Sequence, residues 1–225
     1  MLRHTLSASV IALSLGFIGS ASAQTPAIGA VQSVIVYAYG TPAAQARRPL
    51  FVQTPVFTQE RVETVANGGL ALLFADDTQF RVGADSVVTL DRFVYNPNAS
   101  GGEMALSLTK GSFRFISGKL AKEGVQLRTP VSLIGIRGTD FFVSILASGA
   151  TLIDVISGIL TVASLTGVTA TVAAGQGVTV NADGSMVGST GRSPPGDDAL
   201  DPGANPAADG LPSRSSESSG SSSSN

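Results

Sequence analysis

Residues 125–143, VQLRTPVSLIGIRGTDFFV, decide how the chain folds, because apolar residues run through almost the whole stretch. The ring of Pro130 disfavours the helical conformation at Thr129, so the chain enters the motif extended. Gly135 and Gly138 bracket a dipeptide in its middle, which opposes a long helix. We therefore expect two short strands joined by tight glycine corners.

Two arginines, Arg128 and Arg137, interrupt the apolar residues of this stretch. A guanidinium inside an apolar layer must be paired or hydrogen-bonded on all sides, so we expect Arg137 to be a buried and fixed structural point. Loop carbonyls, Asp140 or Asp154 would then satisfy the two arginines. The alternative is that both arginines hold carboxylates of a ligand in a bidentate manner.

The run TPVSLIGIRGTDF (residues 129–141), which follows KGSFRFISGKLAKEG (residues 110–124), resembles the signature of the FecR domain family of bacterial envelope proteins. The likeness extends upstream through residues 63–95 and covers residues 60–180 in all. The resemblance implies a β-solenoid-like domain and a role in envelope signalling. The motif positions that we select as structural or ligand-binding are Arg128, Thr129, Arg137, Gly138 and Thr139.

The well-known members of this family carry a cytoplasmic anti-sigma segment and one membrane helix before the periplasmic part. This chain departs from that architecture, because we find neither feature before the motif and little room for a transporter-docking domain after Val180. The resemblance therefore implies a periplasmic, β-rich interaction module more directly than it implies control of a sigma factor.

Short apolar runs recur every eight to ten residues with glycine between them, a rhythm that favours an all-β domain. No strict sequence repeat accompanies the rhythm. An irregular coil is therefore expected instead of a regular solenoid, with a β-sandwich as the alternative. The resemblance to the FecR family decides between them, and we predict an irregular β-helix or β-solenoid-like single domain.

The composition excludes several classes of function. The 225 residues carry a net charge of −2, and 43% of them are hydrophobic against 13% charged, which suits a buried core and gives no basic excess for nucleic acid. Cysteine is absent and His4 is the single histidine, so thiolate catalysis, disulfides and cysteine-based zinc sites are excluded. We expect no enzyme activity, no cofactor and no metal.

The two ends of the chain differ from its middle. Residues 1–23 have a basic start, a short apolar stretch and a small-x-small exit, which predict a signal peptide cleaved between Ala23 and Gln24. Residues 24–188 form the predicted β domain. Residues 189–225 are rich in Pro, Gly and Ser and are predicted to be disordered. We therefore predict a periplasmic or secreted protein of a Gram-negative-type bacterium, without stable membrane insertion.

Two local patterns resemble functional sites without supporting them. Ser107 and Lys110 match the S-x-x-K spelling of penicillin-recognising enzymes, but the alternation around them predicts a strand, where residues three apart point to opposite faces. Asp76 and Asp77 are interpreted as a solvated turn instead of a calcium site. The predicted function is non-enzymatic contact with an envelope protein; the alternative is binding of a cell-wall glycan or an anionic small ligand.

Overall fold

A computed structural model describes residues 25–98, 101–120 and 124–190. All regular structure in these ranges is β-strand, which confirms the all-β prediction. The predicted signal peptide, its cleavage site and residues 191–225 of the predicted tail lie outside the described residues. The last strand extends to Thr190, two residues into the predicted tail.

The described residues form fifteen strands of one sheet. In chain order these are β1 Ala27–Ile35, β2 Ala38–Thr41, β3 Arg48–Pro49, β4 Pro55–Phe57, β5 Glu60–Thr64, β6 Gly69–Phe74, β7 Gln79–Val82, β8 Val87–Tyr95, β9 Gly102–Ile116, β10 Val125–Arg128, β11 Ser132–Ile145, β12 Thr151–Ser164, β13 Thr169–Ala173, β14 Gln176–Val180 and β15 Met186–Thr190.

The longest path through the sheet runs β15-β14-β12-β11-β10-β9-β7-β6-β1-β4. Among the described strands, only β9 and β10 pair in parallel, and every other pair is antiparallel. The choice between a solenoid-like coil and a β-sandwich stays a prediction. None of the described residues forms a helix that could span a lipid bilayer.

One apolar cluster packs on the inner face of the sheet. Side chains alternate between the inner and outer face along each strand, so every second residue contributes to this cluster. Phe80, Phe113, Phe115 and Phe141 form a chain of ring contacts within it, with centroids 5.6 to 6.3 Å apart. Phe74 of β6 also stacks on Phe93 of β8, although the two strands are not paired. This contact links two branches of the sheet that leave β9, one through β7 and β6 and the other through β8.

Three long neighbouring strands change partners part-way along their length. β9 leaves β8 to pair with β7, β11 leaves β10 to pair with β9, and β12 leaves β14 to pair with β13. Each strand carries a glycine with positive φ at the change: Gly111 (100°), Gly138 (66°) and Gly158 (84°). The sheet bends at these glycines, which side chains with a Cβ would oppose.

The motif of residues 125–143 spans one of these bends. It contains β10 and most of β11, so the second strand is longer than the short strand expected from the sequence. The glycine corner lies inside β11, where Gly138 and Thr139 together oppose the single residue Gly158 and form a β-bulge. At the bulge β11 turns from β10 toward the second half of β9.

A partly buried ion pair fixes the strands just beyond this bend. Arg114 of β9 donates from Nε and Nη2 to the two carboxylate oxygens of Asp140, at 2.9 and 2.8 Å. The two side chains are only 13% and 17% exposed, and the guanidinium lies 5.1 Å from the ring centre of Phe142. The two parallel hydrogen bonds of such a pair stabilise the fold and also favour one register between β9 and β11.

The turn at residues 76–77 differs from the solvated turn predicted. Asp76 is fully buried, and its carboxylate accepts hydrogen bonds from Thr78 N, Thr78 Oγ1 and Leu120 N. Asp77 is exposed with φ 66° and pairs with Lys119. Burial of Asp76 is possible because backbone and hydroxyl donors surround it. The turn therefore anchors the loop that follows β9.

We predict that Gly158→Ala lowers the free energy of unfolding by at least about 2 kcal/mol, because alanine would adopt a left-handed conformation and overlap the carbonyl oxygen of Gly138. Chemical denaturation of the purified protein measures this change. Gly175→Ala is the matched control, since its φ is 75° and no atom lies near the added Cβ. The control should cost about 1 kcal/mol. Equal losses in both variants would contradict the packing argument.

Candidate functional site

The five selected motif positions divide between the surface and the interior. Arg128, Arg137 and Gly138 are exposed, whereas Thr129 and Thr139 are buried. The prediction that Arg137 is a buried structural point is wrong. Strand alternation explains the error: Ile136 points into the core, so the next side chain along β11 points out.

The two threonines serve the fold. Thr129 Oγ1 accepts hydrogen bonds from Val131 N and Ser132 N at 3.3 and 3.0 Å, which closes the turn between β10 and β11. Thr139 exchanges hydrogen bonds with Ser117: its N–H donates to Ser117 Oγ, and its carbonyl accepts from Ser117 N. Both residues therefore hold loops against strands.

The guanidinium that serves as a fixed point is that of Arg114, and its acid is Asp140. The sequence pattern had assigned Asp140 as a partner for the motif arginines. Neither Arg128 nor Arg137 has a hydrogen bond or ion pair with any described residue. Both are therefore available on the outer face of the sheet.

A hollow of about 330 Å³ lies on this outer face, across four neighbouring strands. Its walls come from β8, β9, β10 and β11, and its lining residues are Asp91, Ala105, Leu106, Ser107, Gln126, Arg128 and Leu133. The register places Arg128 opposite Ser107 on one side and Leu133 on the other. Side chains directly opposite in a sheet share a face, so these groups converge on the hollow.

A β-bulge in β8 brings an acid to the same face. The register between β8 and β9 shifts between Thr89 and Arg92, so β8 contains one extra residue there. Leu90 is buried while Asp91 and Arg92 both lie toward the outside. Ser107 Oγ donates to Asp91 Oδ2 at 2.6 Å, which fixes the carboxylate beside the hollow.

A second and larger hollow of about 560 Å³ adjoins the first, and the two share Ala105 and Gln126. Arg92 and Glu103 form an ion pair of 2.6 Å at its edge. The hydrogen bond from Arg92 to Glu103, together with the charge of Glu103, raises the pKa of the guanidinium. Together the two hollows form a polar groove on the outer face.

A buried carboxylate at Glu60 lies away from this groove and serves the fold. Its side chain is fully buried, accepts from Arg48 Nη2 at 2.9 Å and accepts from Phe57 N at 2.9 Å. Gly40 makes room for it, because a Cβ there would overlap Glu60 Oε1. Burial raises the pKa of Glu60 above its ordinary value of 4.5, although Phe57 N–H and Arg48 act in the opposite direction.

The polar side chains in and beside this groove contact one another in pairs. Within residues 25–98, 101–120 and 124–190, no three Asp, Glu, His or Cys side chains converge as metal ligands. Ser107 and Lys110 lie in β9, as the alternation predicted, and each is engaged elsewhere: Ser107 with Asp91 and Lys110 with Asp85 at 2.6 Å. The arrangement suits binding of a polar group.

Sequence reasoning found Arg128 and missed its neighbours in the hollow. Asp91, Ser107 and Gln126 lie on three different strands, and no short motif links them. The bulge that turns Asp91 outward has one sequence signal, the two consecutive polar residues Asp91 and Arg92 inside an otherwise alternating strand.

A family model described as FecR protein matches residues 60–161. That range includes the strands from β5 to β11 and the lining residues of the 330 Å³ hollow. No curated protein matches the chain.

Two solved structures are similar in fold to part of the chain. Both are crystal structures of a candidate anti-sigma factor from Parabacteroides distasonis, at 1.65 and 2.50 Å resolution. They are 15% and 14% identical to this chain, with TM-scores of 0.47 and 0.48. Each match covers 58% of this chain and 59% of the other, so the chain spans about three-fifths of those proteins.

We predict that Glu60 makes stability fall as the pH rises through the range above 4.5. The folded state binds this proton more tightly than the unfolded state, so the stabilisation is present in mild acid and lost toward neutrality. Thermal unfolding between about pH 5 and about pH 7.5 should show a smaller fall for Glu60→Gln than for the wild type. Glu103→Gln, at an exposed carboxylate, is the control. Identical pH profiles for wild type and Glu60→Gln would refute the assignment.

Proposed function

Since the chain carries a FecR domain at residues 60–161, we propose that it is a module of envelope signalling that acts through binding contacts and not through catalysis. The domain match supports envelope signalling in general. We propose further that the module is periplasmic, contacts another protein and lacks enzyme activity.

The proposed location follows from the sequence pattern of residues 1–23, which is typical of a cleaved secretory signal. After cleavage the chain would contain neither histidine nor cysteine, the side chains that most nucleophilic and acid–base mechanisms employ. Binding is the function that this set of side chains supports best.

The observation that carries the proposal is the polar groove on the outer face of β8 to β11. It presents Arg128 and Gln126 without partners among the described residues, and Arg137 lies on the same face farther along β11. Exposed arginine is enriched at protein interfaces and supplies binding energy there. We assign this face as the contact surface for an envelope protein.

A second candidate function is binding of a cell-wall glycan or an anionic small molecule. The position of Arg128 favours it, because the guanidinium lines a hollow together with the hydroxyl of Ser107 and the amide of Gln126. Such a set of donors suits carboxylate and hydroxyl groups. Direct titration with ligands distinguishes this function from protein contact.

We expect the protein isolated from the periplasm of its host to begin at Gln24, because signal peptidase recognises small residues such as Ala21 and Ala23. Osmotic-shock fractionation followed by mass spectrometry of the intact protein measures this. Recovery of an uncleaved protein in the cytoplasm would contradict the proposed location.

We also expect a photo-crosslinking residue at position 126 to capture an envelope protein in the native host. Arg128→Glu should reduce that product about tenfold or more, since reversing an interfacial charge costs at least about 1.4 kcal/mol. The same probe at the exposed turn residue Asn67 is the control. Equal capture from both positions, or capture unchanged by Arg128→Glu, would refute this surface.

A further inference from the structure

The 330 Å³ hollow is lined by a cation and an anion that do not contact each other. Arg128 comes from β10 and Asp91 from the bulge of β8, with β9 between them. Adjacent strands lie about 4.8 Å apart, so both groups reach the hollow from opposite sides. No hydrogen bond or ion pair joins the two side chains.

Ser107 orients the carboxylate of Asp91. Its Oγ donates to Asp91 Oδ2 at 2.6 Å, and the other carboxylate oxygen accepts no hydrogen bond from the described part of the chain. Ser107 is also the register partner of Arg128. The carboxylate and the guanidinium are therefore held on either side of one β9 residue, with one face of each open.

The charges of the hollow select among ligand classes. A simple anion such as sulfate would be attracted by Arg128 but repelled by Asp91. A simple cation would be attracted by Asp91 but repelled by Arg128. Sugar rings usually stack on an aromatic side chain, and none lines the hollow among the described residues. A ligand that carries both charges satisfies both groups.

We propose that this hollow binds a small zwitterion, a free α-amino acid or a short peptide. Its carboxylate would accept the two parallel hydrogen bonds that the Arg128 guanidinium offers, and its ammonium group would donate to Asp91. Gln126 supplies a further donor and acceptor at the junction with the larger hollow. The rest of a short peptide would extend from the first hollow into the second.

The size of the site agrees with this ligand class. A volume of about 330 Å³ lies at the lower end of the range that small-molecule sites occupy. Leu133, the register partner of Arg128, gives the hollow an apolar side chain, and the small side chain of Ala105 leaves room beside it. The inference rests on the part of the second candidate function that gives the module a small ligand, and it replaces the glycan or plain anion with a zwitterion because Asp91 lines the same hollow.

Isothermal titration of the purified protein tests the proposal. The probes are free amino acids and dipeptides, each with its N-acetyl and its carboxamide derivative as matched partners. We expect at least one zwitterion to bind with a Kd below about 1 mM, and either derivative to bind about tenfold more weakly or worse, since each removes one charge contact.

Substitutions test whether each of the two charged side chains contributes to binding. Arg128→Gln and Asp91→Asn should each weaken binding about tenfold or more, while thermal unfolding stays unchanged because both side chains lie on the outer face. Arg137→Gln is the control, since Arg137 is exposed on the same face and does not line the hollow. It should leave the Kd unchanged.

Three results would overturn the proposal: no zwitterion binds at about 10 mM, the N-acetyl derivatives bind as well as their parents, or Arg137→Gln weakens binding as much as Arg128→Gln. The second result would assign a plain anion site. The crosslinking experiment at position 126 is independent, so failure of zwitterion binding leaves protein contact at this face intact. Loss of the crosslink alone would leave the ligand site intact.

Discussion

The bend that the paired strands β11 and β12 share is the constraint on which this structure depends. β9, β11 and β12 each carry a left-handed glycine where they change partners, and the carbonyl of Gly138 occupies the space that a Cβ at Gly158 would need. Because Gly138 and Thr139 lie opposite Gly158, neither β11 nor β12 can straighten unless the other strand also does. One apolar cluster packs on the inner face of the sheet, and the polar groove lies on the outer face.

Much of the fold could be predicted because alternation and glycine placement are local properties. The inward positions of Phe113 and Phe115 and the strand through Ser107 follow from period-two patterning. The error at Arg137 has a physical reason. Apolar neighbours in the sequence suggested burial, whereas the side chain of each strand residue faces away from those of its immediate neighbours. Ile134 and Ile136 lie inside, so Arg137 had to lie outside.

The candidate site was less accessible to sequence reasoning, because it is assembled from strands that are distant in the chain. Arg128 meets Ser107 only through the parallel register of β9 and β10, and Asp91 joins them only through a bulge. Pairing register depends on the whole sheet, and one slipped residue would send every side chain to the other face. The guanidinium and the carboxylate of the hollow are therefore properties of the assembled sheet.

The last strand of the sheet, β15, has one unpaired edge. β15 pairs only with β14 among the described strands, and its other side presents backbone donors and acceptors that no described strand occupies. Lysine and proline, which commonly guard such edges, do not occur in Met186–Thr190, and Val187 is exposed. Any extended segment of suitable register would continue the sheet there. β15 is therefore one edge at which a second copy of the protein would add by strand pairing at high concentration, and a lysine in place of Val187 would oppose that pairing.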